Sequence, residues 1–225
     1  MKMNKKILVI AAHPDDEILG VGGTINKHAK DNDKVYCLIL GEGEKSRKEE
    51  NSDEKILELH NQARNAGRLI GFKEIFFLDF PDQKFDSVNL LDIIKKIEEY
   101  LEKIKPDIVY THFENDLNID HVLTFQAVIT ACRPCNENCP KEIYCFEVLS
   151  STEWQLGEKR FKPNIYINIE NEIEDKIKAF QEYKSEIREH PHSRSIEGIE
   201  VLAKYRGLQC NKKYAEAFYL VRSIG

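Results

Sequence analysis

Residues 11–20, "AAHPDDEILG", place a histidine, a proline and the carboxylates Asp15, Asp16 and Glu17 directly behind the apolar run "KILVIAA". His13 and Asp16 are three residues apart, a spacing that puts both side chains on one side of a first helical turn. A second stretch of the same character, "THFENDLNIDH", ends on His121 about a hundred residues later. Two histidines and one carboxylate make a three-ligand metal site with one position left open, the form of a catalytic rather than a structural zinc. Zinc in such a site brings the pKa of water down towards roughly 7. Asp15, beside the ligands, is then free to take the proton. A plainer reading competes. Pro14 suits the first position of a helix, and Asp15, Asp16 and Glu17 favour its positive end, so "PDDE" alone reads equally well as a helix opening with Glu17 supporting it. That reading leaves His13 and the second Asp/His stretch unexplained.

The elements that must hold these turns follow from hydrophobic periodicity. "KKILVIAA", "KVYCLIL", "EIFFLDF" and "DIVYTH" are short apolar or β-branched runs of the kind buried in a parallel sheet. Between them, "DEILGVGGTINKHAKDND" reads as a helix ending near Asn32. "EKILELHNQARNAGRLIG" has Leu57, Ala63, Ala66 and Ile70 on roughly one side and stops at Gly71. "SVNLLDIIKKIEEYLEKIK" is amphipathic and closed by Pro106. "IDHVLTFQAVITACR" is a helix after the loop "FENDLN". "EIYCFEV" and "NIYINI" are further strands. "NEIEDKIKAFQEYKSEIREH" and "SIEGIEVLAKYRGLQ" are late helices, and "AEAFYLVRS" is expected to close the sheet. This alternation predicts a single α/β domain over residues 1–225, a Rossmann-like three-layer α/β/α fold around a mostly parallel sheet. In such a sheet ligands bind outside the carboxyl ends of the strands, where both acidic, histidine-bearing turns fall.

Composition narrows the classes. With 225 residues and 41% apolar content the chain can build a sizeable core, and 32% charged residues solvate its surface. A formal net charge of −6 argues against broad phosphate-backbone contact, and no basic patch supports nucleic-acid binding. The amino-terminal lysines and short apolar run do not make a signal peptide, because "HPDDE" follows directly, and no stretch is long and apolar enough for a transmembrane segment. A cytoplasmic protein is expected, and a homo-oligomer is compatible with the sequence. Gly20 and Gly22 fit the first half of GxGxxG, but Ile25 stands where the third glycine belongs and the adjacent carboxylates would repel a pyrophosphate. The glycines instead suit close packing of the first helix on the sheet. Cys37 falls in a core strand. Cys132, Cys135, Cys139 and Cys145 surround "CRPCNENCP", which fits a proline-bounded loop with reduced thiols better than the paired spacing of a structural zinc.

Several other side chains could serve a substrate. His112 ends a strand and could point into the crevice. His192 and Arg194, in "REHPHSRS" beside His190, could hold an anionic group. Tyr205 and Arg206 sit at the end of a helix, where a basic residue also suits the dipole. Trp154 reads as a lid over the core more readily than as a sugar-stacking platform. His28 and His60 read as helix-surface residues.

"AHPDDE" near the amino terminus, the later "DxxxDH" turn, the arginine-bearing "GEGEKSR" and the late "YRG…AEAF" together resemble the PIG-L/LmbE-like zinc-dependent de-N-acetylases over most of the chain. The resemblance implies Zn2+ held by His13, Asp16 and His121, with Asp15 as general base. It implies that Asp120 orients a neighbouring active-site group and that Arg47 helps to hold substrate. Many members carry a histidine three residues before the final histidine, where it stabilises an oxyanion. Here that residue is Asn118, which can donate a hydrogen bond but carries no charge. The implied reaction is hydrolysis of an N-acetylated amino sugar, a small-molecule substrate, with release of acetate. The alternatives are an amidase for another acyl group and a non-enzymatic metal- or sugar-binding relative.

Overall fold

The computed structural model describes residues 4–43, 52–135 and 139–225. Its elements are β1 (Lys6–Ala11), α1 (Asp16–Lys30), β2 (Lys34–Gly41), α2 (Ser52–Ile70), β3 (Glu74–Phe80), α3 (Leu90–Ile104), β4 (Ile108–His112) and α4 (Ile119–Ala131). The second part adds β5 (Glu142–Phe146), β6 (Ile165–Asn168), α5 (Ile173–Gln181), α6 (Ile196–Gln209) and β7 (Ala215–Ser223). Two short 3-10 turns, Phe85–Ser87 and Thr152–Trp154, interrupt the loops.

The seven strands form one sheet in the order β3-β2-β1-β4-β5-β7-β6. β3, β2, β1, β4 and β5 run parallel, and β7 pairs antiparallel with both β5 and β6. Strand alternation splits the core between two faces. Ile7 and Val9 of β1 pack with residues of α1, α2, α5 and α6. Leu8 and Ile10 of the same strand pack with α3 and α4. The result is the three-layer α/β/α arrangement that the alternating sequence predicts.

Two expectations change. "AEAFYLVRS" does not close the sheet but inserts between β5 and β6, which leaves β6 at the edge. The helix read across residues 171–190 is only Ile173–Gln181, because Tyr183 leaves the helical path to pack in the core and the chain then turns. The glycines of α1 do what close packing asks of them. A Cβ at Gly20 would overlap the Phe146 ring on β5, and one at Gly23 would come within 2.9 Å of Ile169. Among the described residues no helix is long and apolar enough to cross a membrane.

β1 lies between β2 and β4, and the chain order reverses there. This is the switch point at which open α/β sheets form a crevice. The turn after β1 carries His13 to Glu17, and the turn after β4 carries Asp116 to His121.

Candidate metal centre

Asp15 caps α1 with φ 107° and ψ −30°, a backbone region that disfavours any residue with a Cβ. Its surroundings hold it there. Glu17 Oε2 accepts a hydrogen bond from the Asp15 amide at 3.0 Å, and Glu17 Oε1 accepts one from the Tyr183 hydroxyl. The turn also closes on itself, because Asp16 Oδ2 accepts from the His13 amide at 2.9 Å.

That same oxygen of Asp16 lies 3.4 Å from His13 Nδ1 and 3.4 Å from His121 Nε2. One donor atom from each of His13, Asp16 and His121 falls within 4.8 Å of the others, and all three side chains are buried. His121 Nε2 is buried without a hydrogen-bond partner. Such an orphan is costly unless something outside the protein satisfies it. The donor set of two imidazoles and a carboxylate suits a divalent transition metal.

The outward-facing nitrogens complete the pattern. His13 Nε2 lies 3.0 Å from Asp120 Oδ2 and 3.3 Å from Asp82 Oδ1. His121 Nδ1 lies 3.2 Å from Asp116 Oδ1. Each imidazole thus turns one nitrogen to the shared space and the other to a carboxylate, the arrangement that fixes tautomer and ring orientation in metal sites. Asp120 is itself fixed, accepting from the Phe85 amide at 3.0 Å. Asp116 accepts from the hydroxyls of Ser151 and Thr152 and from the Asn118 amide. The sequence reading missed Asp82, Asp116 and Glu186. Asp82 had a signal, since it follows the apolar strand β3 closely, as Asp15 follows β1. Asp116 had a signal too, as the first residue of the "DxxxDH" turn, but no role was assigned to it there.

Burial alone would lower the pKa of His13, but Asp120 and Asp16 outweigh it and lift the group to about 10. Burial opposes His121 in the same way, and Asp16 and Asp116 raise it to about 9. Asp16 is held well below the usual carboxylate range by His121, His112 and His13 against its own burial. Asp15 behaves oppositely. Burial and the neighbouring Asp16 push it well above that range, while Arg194 pulls it back.

The ligand set opens on a cavity of about 410 Å³, whose lining includes Asp15, Asp82, Leu117, Asn118, Trp154, Glu186 and Arg194. Asn118 caps α4, with Oδ1 accepting from the Asp120 amide at 2.9 Å. Its Nδ2 is therefore the end able to donate to a ligand. Arg194 Nη1 lies 3.1 Å from Asp15 Oδ2 and 3.1 Å from Glu186 Oε2, so Asp15 is engaged rather than free.

Other expected substrate residues are placed elsewhere. His112 is fully buried, accepts the Ala12 amide on Nε2 at 2.8 Å and stacks on His121 with centroids 3.9 Å apart. It backs His121 and does not reach the cavity. Arg206 forms a buried two-pronged pair with Glu147, at 2.7 and 2.6 Å, and Tyr205 is exposed on α6; neither lines the cavity. His192 also stands outside the lining, packed against Trp154. Arg47 lies outside the described residues. Trp154 reverses its expectation: it is 49% exposed and borders the cavity. His28 and His60 are part-buried, bonded to Asp33 and stacked on Phe77 respectively. Cys132 and Cys145 are buried, and Cys139 takes a hydrogen bond from Arg222. Among the described residues no cysteine belongs to a potential metal-binding group.

Comparison with known proteins agrees with this architecture. The diacetylchitobiose deacetylase of Thermococcus kodakarensis is 27% identical over 229 residues, covering 98% of this chain and 84% of that protein. The N,N'-diacetylchitobiose deacetylase of Pyrococcus horikoshii, solved with an inhibitor, superposes with a TM-score of 0.79 at 22% identity, covering 98% of this chain and 85% of the other. GalB, a 4-carboxy-2-hydroxymuconate hydratase of Pseudomonas putida KT2440, also gives a TM-score of 0.79 at 22% identity, with 98% of each chain covered. At such identity the likeness fixes the fold, and this fold carries more than one chemistry. The family model described as PIG-L, GlcNAc-PI de-N-acetylase, matches residues 8–132, more than half of the chain and the span that holds both ligand-bearing turns, and the chain belongs to that family.

Proposed function

We propose that this protein is a zinc-dependent hydrolase that removes the N-acetyl group from an amino sugar or sugar conjugate and releases acetate. The observation that carries the reading is the buried His121 Nε2, which makes no hydrogen bond and lies 3.4 Å from the same Asp16 oxygen that lies 3.4 Å from His13 Nδ1. Family membership and the named activity of the Thermococcus relative support the choice of an N-acetylated sugar.

His13, Asp16 and His121 would hold the ion. When bound, zinc supplies Lewis acidity towards the acetyl carbonyl and brings the pKa of water towards roughly 7. The chain's own residues do the rest. Asp120 and Asp116 keep the two imidazoles turned with the correct nitrogen inward. Asp15 takes a proton from the attacking water through its carboxylate and later returns it to the departing sugar amine. Burial and Asp16 raise the proton affinity of Asp15, as a group that must both accept and donate near neutrality requires. Arg194 holds Asp15 Oδ2 from the other side of the cavity. Asn118 Nδ2 donates to the tetrahedral oxyanion, a neutral contact in place of a charged one.

Acetate release from a panel of N-acetylated sugars, measured with the zinc-loaded protein, tests the reading. Asp15→Asn should keep the metal and lose at least about 100-fold in kcat. Full turnover in that variant contradicts the mechanism, and release of a larger acid in place of acetate contradicts the acyl group.

A further inference from the structure

Trp154 is the single tryptophan of the chain, and its surroundings are unlike those of a core lid. It is 49% exposed at the border of the cavity that holds the ligand set. One ring packs against it, His192, with centroids 5.9 Å apart and planes at 76°. A large aromatic surface left half open beside the cavity offers the apolar C–H face of a sugar ring a matching partner.

Its placement is also controlled. Trp154 ends the short 3-10 turn Thr152–Trp154, and the residues that begin that turn are anchored to the metal site. Ser151 and Thr152 both donate their hydroxyls to Asp116, whose Oδ1 lies 3.2 Å from Nδ1 of the ligand His121. Thr152 Oγ1 also accepts from the Val148 amide at 2.8 Å, which closes the loop onto the end of the sheet. One carboxylate therefore sets the orientation of a metal ligand and the position of the indole together. On the other side, His192 Nδ1 accepts from the amide of Arg194, whose guanidinium holds Asp15. The indole is braced by two segments that each reach the reacting centre.

We propose that Trp154 is a specificity-determining sugar platform: a pyranose ring of the substrate stacks on its indole, in register with the metal site through Ser151, Thr152 and Asp116. The proposal rests on the amino-sugar reading above and extends it to a residue and a binding mode. It places the substrate in the class of amino-sugar glycans that present a flat pyranose face at the cavity mouth.

The single indole makes the test direct, because every change in tryptophan fluorescence belongs to this residue. The zinc-loaded Asp15→Asn protein is titrated with each sugar of the N-acetylated panel, N,N'-diacetylchitobiose first, while emission is followed. Wild type, Trp154→Phe and Trp154→Ala are compared for acetate release from the same sugars. A saturable emission change is expected, with KM raised roughly tenfold in Trp154→Ala, kcat within about twofold, and most of the affinity kept in Trp154→Phe. Acetate release without an emission change and with an unaltered KM in Trp154→Ala overturns the platform and leaves the deacetylase reading intact. A saturable emission change without acetate release overturns the deacetylase reading and supports the platform. Neither signal overturns both.

Discussion

Asp15 occupies a left-handed backbone position, φ 107°, that costs about 1–3 kcal/mol for a residue with a side chain. The strain persists because Glu17, Tyr183 and Arg194 each hold a different part of the turn. It places the Asp15 and Asp16 carboxylates on one cavity although they are adjacent in sequence. The imidazoles carry a second consequence. His13, at about 10, and His121, at about 9, have pKa values raised above the ordinary histidine value, so both are protonated at pH 7 in the metal-free protein. A metal needs the neutral form, so binding at pH 7 should expel about two protons per ion. As pH rises through and beyond 9 to 10 the two imidazole protons are already gone, and the release should fall towards the one proton that the metal-bound water still gives up. Calorimetric zinc titrations in buffers of different ionisation enthalpy measure this. Heats independent of the buffer at pH 7 would contradict the arrangement. Of these residues His13, Asp15, Asp16, Asp120 and His121 were legible, because their types are unusual directly after apolar strands. The roles of Asp82, Asp116 and Glu186 were not legible, since they come from contacts made across the fold, although Asp116 opens the "DxxxDH" turn.

Most elements were legible at their own scale because each carries a local period. β3 was read residue for residue as "EIFFLDF", and α3 shows its apolar stripe at Ile93, Ile94, Ile97, Leu101 and Ile104. The failures lie where tertiary contacts decide. The reading of residues 171–190 as one helix followed propensity, but burial of Tyr183, which bonds Glu17, ends the helix early. β7 could not be placed from its pattern, since periodicity gives a strand but not its neighbours. The mismatch at Arg206 has the same cause: its partner Glu147 lies 59 residues away in sequence. The glycines of α1 give a test at this scale. Gly20→Ala would gain about 1 kcal/mol of helix propensity in an exposed helix. Here the new methyl would overlap the fully buried Phe146 ring, so the ring or the helix must shift. The variant should lose roughly 1–2 kcal/mol net, read as a lower melting temperature than wild type. An unchanged or raised melting temperature would show that α1 can shift on the sheet.

Across the whole molecule the turns that carry His13 and His121 meet only because β1 and β4 are neighbours while β2 and β3 lie on the other side of β1. The sequence shows two similar turns about a hundred residues apart, and the rule that ligands bind at the carboxyl ends of parallel strands predicts their meeting. What the rule does not supply is the distal wall. Arg194 and Glu186 come from the chain between α5 and α6, and Trp154 from the 3-10 turn before β6. These loops carry the distal wall of the cavity, and no local period marks them. The account depends on His13 and His121 sharing one ion. The measurement that tests it most directly is the metal content of the protein purified with zinc present, beside His13→Ala and His121→Ala. About one zinc per chain in wild type and a loss in both variants is expected from the three-ligand geometry. Retention of the metal in both variants, with the fold intact by circular dichroism, would contradict it.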